Sequence, residues 1–215
     1  QFYDWHYKHH RPLKGTADNP APGWRDVANR PVWFETVKDY IDAAHDRGME
    51  AMAYNLLYGA YRDAAADGVD MAAWGLYSDA AGTQQDFHPL PSDWASDILL
   101  MNPADPAWQD YLFDATADVF AALPFDGWHV DQLGDRGARY DAAGRRVDVA
   151  ASYTPFLENA RAALGDSVAL VLNAVNQYGQ PQIGQAPVSF LYTEVWPPNS
   201  TFATLRRILS ENDQA

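Results

Sequence analysis

An α/β chain built as part of a (β/α)-barrel is what this sequence predicts, on three observations. Short apolar runs alternate with helical patterns along 215 residues, every run ends in polar or acidic side chains, and no glycine-rich phosphate loop follows any run. The competing architecture is a doubly wound nucleotide-binding sheet. That sheet gathers its chemistry at one switch point behind a G-x-G-x-x-G or P-loop turn, whereas candidate groups here sit on all five strand ends.

The chain opens on Phe2 to Trp5, a short strand pattern with Asp4, Trp5 and His6 at its end, followed by a basic, proline-broken loop from Tyr7 to Pro31. His9 and His10 lie in that loop, where a solvated pair is expected. Pro31 is placed to open a helix in which Val37, Tyr40, Ile41 and Ala44 recur at helical spacing, and Gly48 is its stop. Met49 to Asn55 reads as the next strand, tipped by Asn55, Tyr58 and Gly59, so this is a βαβ unit. The segment 56–105 is far longer than an ordinary connection of about four to six residues, and carries Tyr58, Tyr61, Trp74, Tyr77, Phe87, His88 and Trp94. Following a strand, it belongs over the strand carboxyl ends, where long insertions are more often functional than filler. Inside it Asp97 to Asn102 reads as a strand. Asp105 and Pro106 then supply an N-cap and an N1 proline for a helix running to about Leu123.

Phe125 to Gly137, FDGWHVDQLGDRG, is the stretch around which the rest is arranged. Its β-prone bulk at Phe125, Trp128 and Val130 describes a buried strand, bracketed by Gly127 and Gly134, that delivers Asp131 to a rim. A polar, glycine-punctuated run from Gly134 to Val149 follows. Thr154 and Pro155 begin a helix with Phe156, Ala160, Ala163 and Leu164 on one face and Gly165 as its end. Val168 to Asn173 is a continuous apolar strand of the doubly covered kind, tipped by Asn173, Asn176 and Tyr178. Val188 to Leu191 reads as one more strand, ending in Tyr192, Thr193, Glu194, Val195 and Trp196. The last helix carries Leu205, Ile208 and Leu209 on one face.

With 47% hydrophobic and 13% aromatic residues, the chain has enough apolar mass for one domain or most of one. A net charge of −14 argues against a polyanionic partner such as nucleic acid, which needs a cationic face. Eight Trp and 12 Tyr exceed what the core requires and suit the faces of pyranose rings. There is no cysteine, no secretory signal and no apolar run long enough to span a bilayer. Because Gln1 to Trp5 reads as a strand already in progress, the chain is expected to be an excerpt of a longer protein whose targeting signal lies elsewhere.

Asp131 and Glu194 end two strands separated by one intervening strand, which allows both to face one barrel mouth. Two carboxylates across one cleft are what glycoside hydrolysis needs, one to attack or to activate water and one to protonate the leaving oxygen. Tyr192 and Trp196 flank Glu194 and are expected to desolvate it. His129 and Asp131 share a strand face, but no second cluster has metal-ligand spacing. Nor is there a cysteine or G-x-S-x-G nucleophile.

Taken together, QFYDWHYKH at the start, AMAYNLLYGA at 51–60, WGLY at 74–77, DGWHVDQLGDRG at 126–137, NAVNQYG at 173–179 and FLYTEVW at 190–196 resemble glycoside hydrolase family 66. That family comprises endo-dextranases and cycloisomaltooligosaccharide glucanotransferases. The resemblance implies a (β/α)8 TIM barrel, only partly covered by residues 1–215 as about strands 2 to 6, with the 56–105 segment as a βα insertion. It implies a retaining mechanism on α-1,6-glucan, dextran or isomaltooligosaccharides; no cofactor or metal and no nucleic acid or membrane partner is expected, on the spacing, charge and hydropathy given above. Motif by motif, Asp131 corresponds to the nucleophile, Glu194 to the acid/base, and Asp4 to a carboxylate that holds the sugar beside them. Asn55, Tyr58, Trp74, His129, Gln132, Asn176 and Trp196 fall in motifs lining the cleft. A polymer substrate implies an extracellular or cell-surface parent protein.

Overall fold

A computed structural model describes residues 1–213 of the chain. The loop after the first segment folds into two hairpins, β1 (Gly15–Thr16) with β2 (Asn19–Pro20) and β3 (Gly23–Arg25) with β4 (Pro31–Trp33). Pro31 is therefore a strand residue and not a helix start. At a two-stranded edge its missing N–H is tolerated, and Val32 and Trp33 favour the extended state. Helix α1 (Phe34–His45) begins after them and buries Val37 and Ile41.

Strand β5 (Met52–Leu56) leads into β6 (Gly59–Ala60), which with β7 (Phe87–His88) and β8 (Ile98–Leu100) makes a small antiparallel sheet, and the long insertion packs into the same buried cluster as the helices that follow it. Helix α2 (Pro106–Ala122) starts where expected, the Asp105 carboxylate accepting from the N–H groups of Ala107 at 2.9 Å and Trp108 at 3.3 Å. It ends at Leu123 because Pro124 forces that residue out of the helical region, to φ −125° and ψ 135°. Strand β9 (Gly127–Asp131) follows, then a short hairpin of β10 (Arg139–Tyr140) and β11 (Arg146–Val147). Helix α3 (Tyr153–Leu164), strand β12 (Ala169–Leu172), the single turn α4 (Gln180–Ile183) and α5 (Phe202–Asn212) complete the chain.

The organising sheet is parallel, in the order β12-β9-β5. Two further segments extend it by single parallel bridges, Phe2 beside Ala53 and Tyr192 beside Asn173. Five segments thus lie side by side in chain order. The first and fifth are shorter than expected. Asp4, at φ 53°, turns the chain out of the sheet after Phe2, and the Val188 to Leu191 run pairs only in part, with Ser189 N–H donating to the Leu170 carbonyl at 2.7 Å. Its outer flank has no backbone partner among the described residues, so nothing holds it fully extended.

Two buried clusters flank the sheet. Trp108, Leu112 and Phe113 of α2 pack with Trp128, Phe156, Leu157, Leu170 and Leu172, and the Trp108 indole N–H donates to the Leu57 carbonyl at 2.9 Å. Trp5, Trp24, Val37, Ile41, Ala53 and Phe125 form the second. Gly127 permits close strand approach, since a Cβ there would overlap the Ala169 carbonyl and the Met52 side chain.

Candidate active site

The parallel register sets Tyr54 opposite His129 and Leu56 opposite Asp131. Alternation then puts Tyr54, His129 and Asp131 on one face, and Tyr3 and Tyr192 reach the same face from the two flanking segments. Ring centroids lie 4.6 Å apart for Tyr3 and Tyr54, 5.4 Å for Tyr54 and His129, and 5.2 Å for His129 and Tyr192. An aromatic layer drawn from four of the five segments thus underlies the carboxylates. His129 is fully buried in it, and desolvation lowers its pKa to about 4, so it is neutral at physiological pH.

Asp131 ends β9 at the layer's edge. One carboxylate oxygen, Oδ1, accepts from the Gln132 N–H at 2.9 Å and the Asn173 amide at 2.9 Å, while Oδ2 accepts from the Tyr54 hydroxyl at 2.8 Å. Burial pushes the Asp131 carboxyl above the ordinary carboxylate range; these three donors oppose the rise, and the charge on Glu194 adds to it. Glu194 is half-buried. Its Oε2 accepts from the same Asn173 Nδ2 at 3.2 Å, and its own backbone N–H donates to Asn173 Oδ1 at 3.0 Å. One side-chain amide therefore bridges the two carboxylates. Its orientation is fixed chemically, because the atom facing both carboxylates must be the NH2 and the atom facing the backbone N–H must be the oxygen.

Asn176 holds the segment from the other side. Its N–H donates to the Glu194 carbonyl at 2.8 Å and its Oδ1 accepts from the Trp196 N–H at 2.7 Å. Gln132 is buried, donating to the Asn173 carbonyl at 2.9 Å and accepting from Gly134 N–H, which makes it a brace between adjacent strand ends. Tyr58, also buried, accepts from the Leu133 N–H and fixes the turn after Asp131. Trp196 is 55% exposed, free to stack on a ligand.

Two expected positions, Asn55 and Trp74, differ. Asn55 falls on the opposite strand face from Tyr54, where its amide donates to the His9 carbonyl at 2.8 Å and its oxygen meets His9 Nδ1 at 2.9 Å. Trp74 packs on Tyr111 of α2, ring centroids 6.0 Å apart, instead of beside the carboxylates. Asp4 is paired with Arg30 at 2.7 Å, and Arg30 is in turn 2.7 Å from Asp26. Of the two side chains that grip Asp131, Asn173 was read from the sequence as a polar strand tip, and Tyr54 was not singled out. Counting alternate positions from Met52 as well as from Asp131 identifies Tyr54.

The His9 and His10 pair is buried, not solvated. His10, Asp63 and Asp67 come together with ligand-type spacing, but Lys8 Nζ lies 2.8 Å from both carboxylates and fills the cation's place. Arg11 and His10 bind Asp67 as well, at 2.8 and 3.0 Å. Burial alone would raise the Asp67 pKa, yet Lys8, His10 and Arg11 together hold it well below the usual range. A depressed folded-state pKa contributes stability above the unfolded value of about 3.9, lost as pH falls through the folded one. Asp67→Asn in the full-length protein is therefore expected to cost about 3 kcal/mol at pH 7, because Lys8 remains buried with one exposed partner. A thermal midpoint within one degree of wild type at pH 7 would refute this.

The family model of glycosyl hydrolase family 66 matches residues 1–215. A cycloisomaltooligosaccharide glucanotransferase of Niallia circulans is 32% identical over 218 residues, taking in 96% of this chain and 22% of that protein. A dextranase of Streptococcus salivarius is 23% identical over 202 residues, 91% of this chain and 24% of that protein. The crystal structure of a Paenibacillus sp. cycloisomaltooligosaccharide glucanotransferase complexed with cycloisomaltoheptaose matches with a TM-score of 0.92 at 32% identity, over 100% of this chain and 32% of that one. The chain spans less than a quarter of the length of the curated relatives it matches.

Proposed function

The chain belongs to glycosyl hydrolase family 66, and from that premise we propose that its parent protein cleaves internal α-1,6-glucosidic bonds of dextran with retention. The observation that carries the reading is the amide bridge. Two oxygens bound to one nitrogen at 2.9 and 3.2 Å can be no more than about 6 Å apart, compatible with the ~5–5.5 Å of retaining pairs and tight for the ~6.5–9.5 Å that inverting pairs need to admit water. In the first half-reaction Asp131 bonds to the anomeric carbon as the glycosidic C–O bond breaks, and the leaving oxygen takes the Glu194 proton. In the second, Glu194 removes a proton from water, which displaces Asp131 and frees the sugar with its configuration kept.

Relatives at 30% and 32% identity named as cycloisomaltooligosaccharide glucanotransferases favour a second reading, in which the chain-end hydroxyl of the same glucan replaces water. Both use the same two carboxylates. Incubating the full-length protein with dextran and separating linear from cyclic products distinguishes them, while NMR of the first-formed anomer tests retention. An initial β-anomer would overturn the double displacement. A polymer substrate supports an extracellular or cell-surface location for the parent protein.

We further infer that the five parallel segments are an arc of a (β/α)8 barrel, supported by their chain-order pairing and by polar groups at their carboxyl ends. The arc has two open edges, at Phe2 and at Tyr192, each with unpaired backbone groups. Expressed alone, residues 1–215 are expected to aggregate or to melt without cooperativity. A sharp monomeric melting transition together with dextran cleavage would refute the arc.

A further inference from the structure

We propose that Tyr54 is a further catalytic residue: its hydroxyl grips the attacking oxygen of Asp131, which the geometry assigns to Oδ2. This rests on the retaining reading above. A carboxylate oxygen that forms a bond to carbon must free a lone pair. Oδ1 is held by two donors, the Gln132 N–H and the Asn173 amide, both fixed by backbone or by a second hydrogen bond of their own. Oδ2 has one, the Tyr54 hydroxyl at 2.8 Å. That donor can swing about its Cζ–O bond without disturbing anything else, so Oδ2 is the oxygen that can react at least cost.

The ring that carries this hydroxyl is immobilised on every side. Tyr3 packs against it at 4.6 Å, His129 crosses it edge-on at 5.4 Å, and His6 lies at 6.2 Å. Its backbone is held too, with Tyr54 N–H donating to the Phe2 carbonyl at 3.2 Å and the Trp5 indole donating to the Tyr54 carbonyl at 3.2 Å. So much packing around one phenol aims its oxygen. The titratable groups facing it are Tyr3 and Asp4 from the first segment, His6 from the loop behind, and His129 and Asp131 from β9. Burial, and then the Asp131 charge, raise the Tyr54 pKa well above 10, so it keeps its proton and acts only as a donor.

In glycosylation the Oδ2 to anomeric carbon bond forms, the glycosidic bond breaks, and the leaving oxygen takes the proton of Glu194. Tyr54 keeps its own proton throughout. Before attack its hydrogen bond favours the ionised form of a carboxyl that burial disfavours, and as the ester forms that bond weakens with the vanishing charge. Its effect should therefore fall on the ionisation of Asp131.

The test uses the full-length protein with Tyr54→Phe and, separately, 3,5-difluorotyrosine at position 54, a stronger donor of the same shape. Two readouts are taken: the pH profile of kcat/KM on dextran, and the Asp131 carboxyl pKa by isotope-edited infrared titration. Tyr54→Phe should raise the Asp131 pKa and move the acid limb of kcat/KM to higher pH by the same amount, so that activity is lost chiefly on the acid side of the profile. Difluorotyrosine should move both downward. If either replacement leaves the Asp131 pKa and the acid limb at wild-type values, the proposal is overturned, whatever happens to thermal stability. A wild-type protein inert on dextran would overturn the retaining-glucanase reading instead, and the infrared titration would still decide whether Tyr54 tunes Asp131.

Discussion

Glu194→Gln in the full-length protein is expected to stall as a glycosyl-enzyme, and Asp131→Asn to form none. With an aryl isomaltooligosaccharide whose leaving group needs no protonation, the first half-reaction of Glu194→Gln proceeds, because Asp131 is intact and held by three donors. The second then lacks a base to activate water. Azide, which needs no base, should restore turnover and release a glycosyl azide of retained configuration. The expected loss without azide is of the order of 10³-fold or more, since general acid–base assistance alone contributes about 10²–10⁴. Mass spectrometry of the intact protein should show the glycosyl adduct on Glu194→Gln only. Adduct formation by Asp131→Asn, or an azide-insensitive Glu194→Gln, would exchange or remove the assigned roles.

For stability, Asp131 makes the opposite demand. Burial raises the folded-state pKa of Asp131, so its protonated form stabilises the fold below the unfolded pKa, and that contribution is lost as pH rises through the folded one. At neutral pH the ionised carboxylate is thus held at a cost. Asp131→Asn removes the charge and keeps the shape, and its thermal midpoint at pH 7 is expected to equal or exceed that of wild type while activity vanishes. A drop of several degrees would mean that the three donors more than offset the burial.

What could be read in the sequence follows a physical line. Helix α2 and strand β9 were legible because their signals are local: an Asp-Pro cap before an apolar periodicity, and β-prone bulk ending in a carboxylate. The pair Asp131 and Glu194 was legible because strand ends in such folds share one face. Asn55 and Tyr54 were not separated, since a strand that ends in two polar residues side by side presents one to each face, and only the register with β9 decides which meets Asp131. His9 and His10 were misread because a histidine in a basic loop is solvated unless distant residues enclose it. Asn55 and Asp67, 46 and 57 residues away in sequence, do so here. Trp74 shows the same limit: an aromatic in an insertion looks like a ligand platform until α2 is found beneath it.

Asn173 carries the other large expectation. Its NH2 donates to both carboxylates and its oxygen receives the Glu194 backbone N–H, so it performs two tasks that substitutions can separate. Asn173→Ala removes both: Asp131 loses one of three donors and its pKa rises further, and the Glu194 segment loses an anchor, leaving Asn176 to hold it. By analogy with deleting one charge-stabilising donor, kcat/KM should fall roughly 10²–10³-fold. Asn173→Asp keeps the acceptor for the Glu194 N–H but sets a third carboxylate within hydrogen-bond distance of the other two. Three such groups cannot all ionise, so they share a proton and titrate as a set. At pH 7 the Asp variant should therefore be as inactive as the Ala variant or more so, although its segment is held. At lower pH, where position 173 is protonated and donates again, it should recover part of its activity, moving the optimum to the acid side of wild type. The pH profiles of the two variants on dextran check this. An Asp variant active at the wild-type optimum, or an Ala variant within threefold of wild type, would show that the bridge is a by-product of packing and not part of the chemistry.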